Sequence, residues 1–344
     1  MKATILALFF FGLNLGLVHA GGTPEKSLVN TQEIPLERIS VIDIHYRSDT
    51  ITLVTHDSDT LIIREYMTRD NSRFFADIRY SEGELLIRPG NRPQMRSVRA
   101  HIAISIPASD RSISVRNTSG RIELLGEHAA SSFELQNTSG GISIESAQAQ
   151  RVRIANTSGG ISLGSVNAGE IDIESSSGRI VVGSAAGTVS ARTSSGGIEL
   201  GMANGAVSAQ STSGGIDLGP VNGAVNVRSS SGGIKVGSVN GTISARSSSG
   251  SIQLAVTEDA GDISVTASSG AVSFALPRNL AFNFSTRTSS GRLDTPFNDA
   301  LFRPLDDRNL IRGVIGRDTV PQEQIQRNID INTSSGSIRV DWVD

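Results

Sequence analysis

The sequence predicts an all-β protein, a parallel β-solenoid (β-helix) with about 18–20 residues and two main strands per coil. Three observations predict this fold. A Ser-Gly signature recurs at nearly constant spacing, apolar and polar residues alternate on both sides of it, and a second turn signal lies between the alternating stretches. An irregular N-terminal β region is expected to cap the first coil, because an open sheet edge invites aggregation.

The Ser-Gly signature occurs eleven times, and each Gly follows a Ser that itself follows Ser or Thr. Nine of the ten intervals between these glycines are 18–21 residues long, and the last is 45. The corner glycines are Gly120, Gly140, Gly159, Gly178, Gly196, Gly214, Gly232, Gly250, Gly270, Gly291 and Gly336. We expect each to adopt a backbone conformation closed to other residues. The Ser and Thr hydroxyls are expected to form a hydrogen-bonded ladder along the stacked corners.

Apolar residues stand two and, with one exception, four positions after each corner Gly, and most residues seven and five positions before it are also apolar. Around Gly232 they are Val225, Val227, Ile234 and Val236. Because successive side chains of a strand point to opposite faces, each coil contributes two short strands with two inward residues apiece. A disordered linker has no reason to keep this alternation, so the repeat predicts a folded structure.

Asn-Gly pairs mark the second turn in three coils, at residues 204–205, 222–223 and 240–241. The same dipeptide is also a signal for antiparallel hairpins. A meander of hairpins has no reason to keep an 18-residue period, however, whereas a coil with a corner at each end does. We therefore favour stacked coils over hairpins.

The repeat divides the chain into segments that we name by their predicted structure. They are a signal peptide (1–20), a linker (21–36), an irregular N-terminal β region or cap (37–115), a regular β-solenoid (116–295), a loop excursion (296–327) and a final coil (328–344). The excursion accounts for the single long interval between corner glycines. A long connection that leaves a regular scaffold is either functional or a cover for an open edge.

The first 20 residues are typical of a secretory signal peptide. Lys2 precedes an apolar stretch too short to span a bilayer comfortably, and Val18 and Ala20 supply the small residues of a cleavage site. The alternative is an N-terminal membrane anchor. No later stretch is a second hydrophobic span, so we expect an exported protein that is periplasmic, secreted or on the cell surface and does not span the membrane after signal removal. The chain has no Cys and must fold without disulfides.

Composition and spacing exclude several functional classes. A net charge of −3 at pH 7 predicts that nucleic acid is not a partner. The histidines after the signal share no ligand spacing, so no metal or other cofactor is expected. They are His45, His56, His101 and His128. The corners also carry Ser where a calcium-binding coil would need Asp.

Three carboxylates occupy one outward position of the strand that follows the corner: Glu123, Glu199 and Asp217. Glu199 and Asp217 are on adjacent coils and are expected about 5 Å apart, the separation typical of a retaining glycosidase. No aromatic residue lies nearby to stack on a sugar. We therefore interpret these carboxylates as solvated surface groups and expect no catalytic residue.

Two further patterns lie beside the corner. Arginines recur at one position before it and form an interrupted stripe that predicts, at most, weak contact with an anionic polymer. They are Arg116, Arg192, Arg228, Arg246 and Arg287. Asn-Thr-Ser at 117–119, 137–139 and 156–158 matches a glycosylation sequon. These triplets coincide with the corner, so we interpret them as the same turn with an Asn ladder.

The excursion contains the partner-binding candidates. Large aromatic residues and Arg dominate binding hot spots, and the middle coils contain no aromatic residue. The candidates are Phe297, Phe302, Arg303 and Arg312. The alternative is that the excursion only covers the last open edge of the solenoid.

The repeated units [ST]-S-G-G-I-x-L and N-G-x-V-x-A behind a signal peptide resemble the bacterial putative-adhesin family of β-strand-repeat proteins, a domain of unknown function. The similarity covers residues 35–344 and is strongest over 117–291. It implies an exported, non-enzymatic β-solenoid that acts as an adhesin-like, scaffold or envelope-associated binding protein. The sequence does not identify the partner, and the candidate classes are a glycan or a protein of the cell envelope or the extracellular space. The alternative is a carbohydrate-active enzyme of the β-helix type, a polysaccharide lyase or hydrolase.

Overall fold

The computed structural model describes residues 25–93, 98–297, 310–315 and 325–343. The predicted signal peptide lies outside the described residues, as do the candidates Phe302 and Arg303. In the described parts of the chain, no helix has the length and apolar character needed to cross a membrane.

Strands make up nearly all of the regular structure. In the N-terminal region they are β1 (Ser27–Pro35), β2 (Val41–His45), β3 (Thr50–His56), β4 (Thr60–Met67), β5 (Asp77–Ser81), β6 (Glu84–Arg88) and β7 (Ala100–Pro107), with a short 3-10 helix at Ser72–Phe74. The first repeats contain β8 (Ser112–Asn117), β9 (Ile122–Ala129), β10 (Ser132–Asn137), β11 (Ile142–Asn156), β12 (Ile161–Ser175), β13 (Ile180–Thr193), β14 (Ile198–Asn204) and β15 (Val207–Ser211).

The remaining strands have between two and seven residues. They are β16 (Ile216–Leu218), β17 (Val221–Asn222), β18 (Val225–Ser229), β19 (Ile234–Val236), β20 (Ile243–Ser247), β21 (Ile252–Ala255), β22 (Ile263–Ala267), β23 (Val272–Pro277), β24 (Phe282–Thr288), β25 (Leu293–Asp294), β26 (Leu310–Ile315), β27 (Asn328–Thr333) and β28 (Ile338–Val343).

Equivalent strands of successive coils pair in parallel and in register, which confirms the predicted parallel β-solenoid. The strands before the corner form a first ladder, in which Val207 pairs with Val225 and Val225 with Ile243. The strands after the corner form a second ladder, in which Ile216 pairs with Ile234. The hairpin alternative is wrong for these coils, because their main-chain hydrogen bonds join equivalent positions in neighbouring repeats.

The predicted inward residues form one continuous core along the rod. Ile216 and Ile234 are 2% and 1% exposed. Each coil also has an inward position that the sequence pattern did not single out, between the two main strands, which is occupied by Ala203, Val221 and Val239 in successive coils. These small residues form a short third ladder. They fill the side of the coil that the two predicted strands leave open.

The first residue of most corners is a buried Ser, Thr or Asn whose side chain bonds to the backbone of its own corner, of a neighbouring coil, or of both. Ser211 Oγ donates to the Gly196 carbonyl oxygen at 3.2 Å and accepts from the Gly214 amide at 2.9 Å. In the early coils an Asn has this role, and Asn137 Nδ2 donates to the Gly120 carbonyl oxygen at 2.6 Å. The predicted ladder thus takes a different form, from side chain to backbone. Burial of these Asn side chains also agrees with the turn interpretation of the Asn-Thr-Ser triplets.

The corner glycines are required by close packing of coils and not by their backbone angles. A Cβ atom on Gly214 would overlap the Gly196 carbonyl oxygen of the preceding coil. Among the described residues, glycines with positive φ include Gly205 (141°) and Gly223 (152°), which lie in the Asn-Gly turns. The expectation of a special backbone angle was therefore wrong at the first corner, and the second turn is where glycine supplies it.

Antiparallel strands cover the N-terminal end of the rod. The second ladder ends in β7, β4 and β1, with β4 antiparallel to both neighbours. The first ladder ends in β6 and then β5, and these two strands are antiparallel to each other. The prediction of a linker at 21–36 was wrong in part, because Ser27–Pro35 forms a strand that pairs with β4, with a bulge between Leu28 and Asn30. Edge strands of this kind end a stack without presenting another coil-shaped surface.

At the C-terminal end, the last coil of the sequence is inserted into the stack. β27 pairs in parallel with β22 on one side and β24 on the other, and β28 lies between β23 and β25. The predicted final coil does form, but in the second-last position of the rod. β26, inside the excursion, pairs antiparallel with β24 and covers the outer edge of the first ladder.

Candidate functional site

The carboxylates predicted to be adjacent do lie side by side on the second ladder. Glu199 and Asp217 are register partners on β14 and β16. Glu199 contacts the Arg179 guanidinium of the preceding coil, and an Asp217 carboxylate oxygen lies 3.5 Å from Lys235 Nζ in the following coil. We call Arg179, Glu199, Asp217 and Lys235 the balanced row, because its two positive charges flank its two negative ones. Glu123, the third predicted carboxylate, lies far along the rod beside Arg121.

A second row of outward side chains follows the first ladder beside the corner. Arg192, Gln210, Arg228 and Arg246 lie in register on consecutive coils, and we call them the arginine row. Arg192 lies 3.4 Å from Asp172. Arg228 and Arg246 are exposed, and among the described residues neither has a carboxylate within ion-pair distance. Arg246 Nη1 donates to Ser244 Oγ at 2.6 Å.

A buried polar cluster closes the N-terminal end of the core. Glu65 is fully buried and accepts from Arg92 Nη2 at 3.1 Å, while Asp49 accepts from Arg92 Nη1 at 2.7 Å. The Arg92 guanidinium also lies over the Tyr46 ring, 5.7 Å from its centre. Burial raises the pKa of the Asp49 carboxyl, although Arg92 acts in the opposite direction. Burial also raises the pKa of the Tyr46 hydroxyl.

The histidines are dispersed along the N-terminal half of the chain. His128 occupies an inward position beside Ala147 and packs edge-on against Phe133, with ring centres 6.5 Å apart. His101 stacks on Tyr66. Burial lowers the pKa of both imidazoles. Within the described residues, no three His, Cys, Asp or Glu side chains converge as a set of metal ligands.

The excursion candidates separate into one buried and one exposed residue among those described. Phe297 is 9% exposed and packs against Phe284 and Trp342, with ring centres 4.9 and 5.4 Å away. It anchors the excursion to the end of the core, so its ring is not available to a partner. Arg312 lies on β26 and is exposed. The alternation of polar and apolar residues predicted which positions face outward. It did not predict that Arg228 and Arg246 have no described carboxylate beside them, because that depends on the pairing register of the strands.

Comparison with protein families gives one match. The family model described as Toastrack DUF4097 matches residues 39–227 and 221–341. The two stretches together span both ladders and most of the N-terminal region. No curated protein matches the chain at a significant level.

Solved structures give distant similarities. One is a putative cell adhesion protein from Clostridium sporogenes, which is 8% identical, with 93% of this chain and 100% of that chain covered and a TM-score of 0.22. Another is a putative adhesin from Bacteroides fragilis, which is 14% identical, with 74% and 100% covered and a TM-score of 0.32. At these TM-scores neither similarity carries an argument about the present chain.

Proposed function

The chain belongs to the Toastrack DUF4097 family, and from this premise we propose that it is an exported, non-enzymatic β-solenoid that binds or organises components of the cell envelope in an adhesin-like or scaffold role. The observation that carries the proposal is the outward surface of the stacked coils. Outward side chains of neighbouring coils lie in register, at the interstrand spacing of about 4.8 Å. Such a surface matches an extended or repetitive partner, as the long faces of solenoids do.

The signal-like N-terminus and the absence of Cys support export of a protein that is stable without disulfides. The rod meets this need through its continuous core and its hydrogen-bonded corners. Mass spectrometry of the protein recovered from the envelope fraction is expected to begin at or near Gly21. An intact Met1 in that fraction would indicate an N-terminal anchor.

The alternative, a β-helix enzyme acting on polysaccharides, is favoured by one observation, the adjacency of Glu199 and Asp217. Each carboxylate has its own cation, however, and both are exposed on an open sheet surface. The balanced row therefore fits a surface ion-pair network better than a general acid and a nucleophile, which need unlike environments.

One pair of assays tests the proposal. The purified mature protein is expected to co-sediment with the cell-envelope fraction of the producing bacterium in a saturable manner, and to leave a panel of acidic polysaccharides uncleaved. A heat-unfolded sample is the control for nonspecific sedimentation. Turnover that disappears in Glu199→Gln would establish the enzyme instead, and absence of saturable binding would remove the envelope role.

A further inference from the structure

We propose that Arg228 and Arg246 form a binding site for the acid groups of a linear acidic polysaccharide. The inference rests on the envelope-binding function proposed above, and it names the surface and the chemical class of the partner. The argument comes from the pairing of charges between coils, from the side chains around the two arginines and from the absence of aromatic residues on these coils.

Among the described residues, the other charges that face each other between coils are opposite or balanced. Arg153 lies in register between Glu134 and Asp172, and Arg151 Nη2 lies 2.7 Å from Glu170. The adjacent acidic pair Glu199 and Asp217, in the balanced row, has a cation on each side. Opposite charges on neighbouring strands stabilise a sheet, and like charges directly opposite each other destabilise it.

Arg228 and Arg246 depart from this pattern. They are register partners on β18 and β20, their neighbours in the row are the uncharged Gln210 and Thr266, and no described carboxylate compensates them. Because the fold accepts Gln and Thr at this position, it does not require Arg. Two adjacent guanidinium groups repel each other and so destabilise the sheet, and neither contacts a described carboxylate. Such a pair is suited to binding an anion supplied from outside the chain.

The surroundings of the two arginines are suited to a hydroxyl-rich ligand. On the same outward face, the strand positions two residues before them carry Asn226 and Ser244. The exposed corner residues that follow, Ser230 and Ser248, are also hydroxyl-bearing. An extended chain lying along the rod meets guanidinium, hydroxyl and amide groups about every 4.8 Å.

Other polyanions fit this surface less well. Between Phe133 and Phe274 the chain has no aromatic residue, so the coils lack the stacking platforms typical of single-stranded nucleic acid binding. Anionic lipid surfaces are recognised by clusters of four to eight basic residues, and this site has two. A polysaccharide with carboxylates at regular intervals needs neither stacking nor a large basic cluster.

Binding of polygalacturonate to the full mature chain tests the site. The double variant Arg228→Gln/Arg246→Gln is expected to lower affinity at low salt by about tenfold or more, and to weaken the salt dependence of binding. Its melting temperature is expected to stay unchanged or to rise, because a repulsion is removed. The matched control is Arg179→Gln/Lys235→Gln, which removes the same charge from the balanced row and is expected to leave affinity nearly unchanged.

The outcomes separate the site from the general function. If the two double variants lost the same amount of affinity, binding would depend on net charge alone, and the proposed site would be overturned. Failure of the wild type to bind polygalacturonate, or arginine-dependent binding that is stronger for single-stranded DNA or phosphatidylserine vesicles, would overturn the polysaccharide assignment. If the arginine variant still co-sediments with the envelope fraction as the wild type does, the envelope role stands and this site is not its basis.

Discussion

The middle coils and the N-terminal end of the rod satisfy their buried polar groups in different ways. In the middle, buried corner side chains bond to backbone atoms of their own coil or of the preceding one, and Ser211 bonds to both, to Gly214 and to Gly196. At the N-terminal end, one cation, Arg92, forms ion pairs with both buried carboxylates, Asp49 and Glu65, and Glu65 also accepts from Asn30 Nδ2 and the Ala76 amide. The middle repeats one modest interaction many times, whereas at the end one residue balances the charge of both carboxylates.

This difference determines how each region responds to substitution. In the middle, a change is tolerated when it respects the inward and outward positions and the contact between corner backbones. At the end, the decisive factor is whether buried charges keep their partner, because an isolated buried charge is costly. Four predictions, from the largest expected effect to the smallest, test this contrast.

The largest effect is expected in the middle, from Ile234→Lys. Ile234 is 1% exposed, so the substitution places an unpaired charge in the core and is expected to cost about 4 kcal/mol or to abolish folding. Lys235→Ile, one residue away on the outer surface, is the control and is expected to change stability little. Denaturant unfolding measures both. Equal losses would contradict the assignment of inward and outward positions.

At the N-terminal end, Arg92→Met is expected to reduce the free energy of unfolding by about 3 kcal/mol, because Asp49 and Glu65 remain buried without their ion-pair partner. The control is Arg79→Met, which removes an exposed ion pair with Asp77 on the outermost strand and is expected to have a small effect. Thermal and denaturant unfolding provide the measurement. The proposed dependence on one residue would be wrong if the two variants were equally stable.

The corner contact is tested by two adjacent glycines. Gly214→Ala brings a Cβ onto the Gly196 carbonyl oxygen and is expected to cost about 1–3 kcal/mol through overpacking. In Gly215→Ala the new Cβ would lie 3.5 Å from the Gly233 carbonyl oxygen, an ordinary contact, so stability is expected to be unchanged or slightly higher. A loss of stability in the second variant as large as in the first would contradict close backbone approach as the reason for the corner Gly.

The smallest effect concerns acid sensitivity where the two regions meet. Burial lowers the pKa of His128 in the folded state, so below its ordinary pKa of about 6.5 the unfolded chain binds a proton that the folded chain does not. Stability therefore falls with decreasing pH, by at most about 1.4 kcal/mol per pH unit from this group. Unfolding curves between pH 8 and pH 5 are expected to show a shallower decline for His128→Gln. Burial also lowers the pKa of His101, which this variant retains. Part of the pH dependence of stability is therefore expected to remain. Parallel declines would exclude His128 as a source.

Most of the regular fold was predictable from the sequence, because a period-two pattern tied to a recurrent corner fixes which residues face inward. Ile216 and Ile234 were assigned to the core on this basis and are buried there. The inward position of Ala203 was missed, because a single small residue in a short ladder leaves no alternation to detect.

The stacking order at the C-terminal end was not predictable in the same way. Every coil presents the same corner and the same ladder edges, so the pattern of β27 is compatible with the edge of any other coil. Nothing local in the sequence indicates that β27 enters between β22 and β24. The role of Arg92 was not predicted from the sequence for a related reason. The N-terminal region has no repeat that would fix the register of its strands. The burial of the candidate Phe297 likewise depends on contacts with Phe284 and Trp342, which are distant in the sequence.

The inserted coil has a consequence for the route by which the chain folds. A chain that assembles from its N-terminus reaches β24 before β27. At that stage the edge of β22 is open, and β24 can pair with it in the register in which β27 pairs in the final structure. Premature docking of β24 produces a shorter rod that must reopen to admit the last coil. The similarity of the coils therefore allows a competing assembly, in which β24 pairs with β22 in the place of β27.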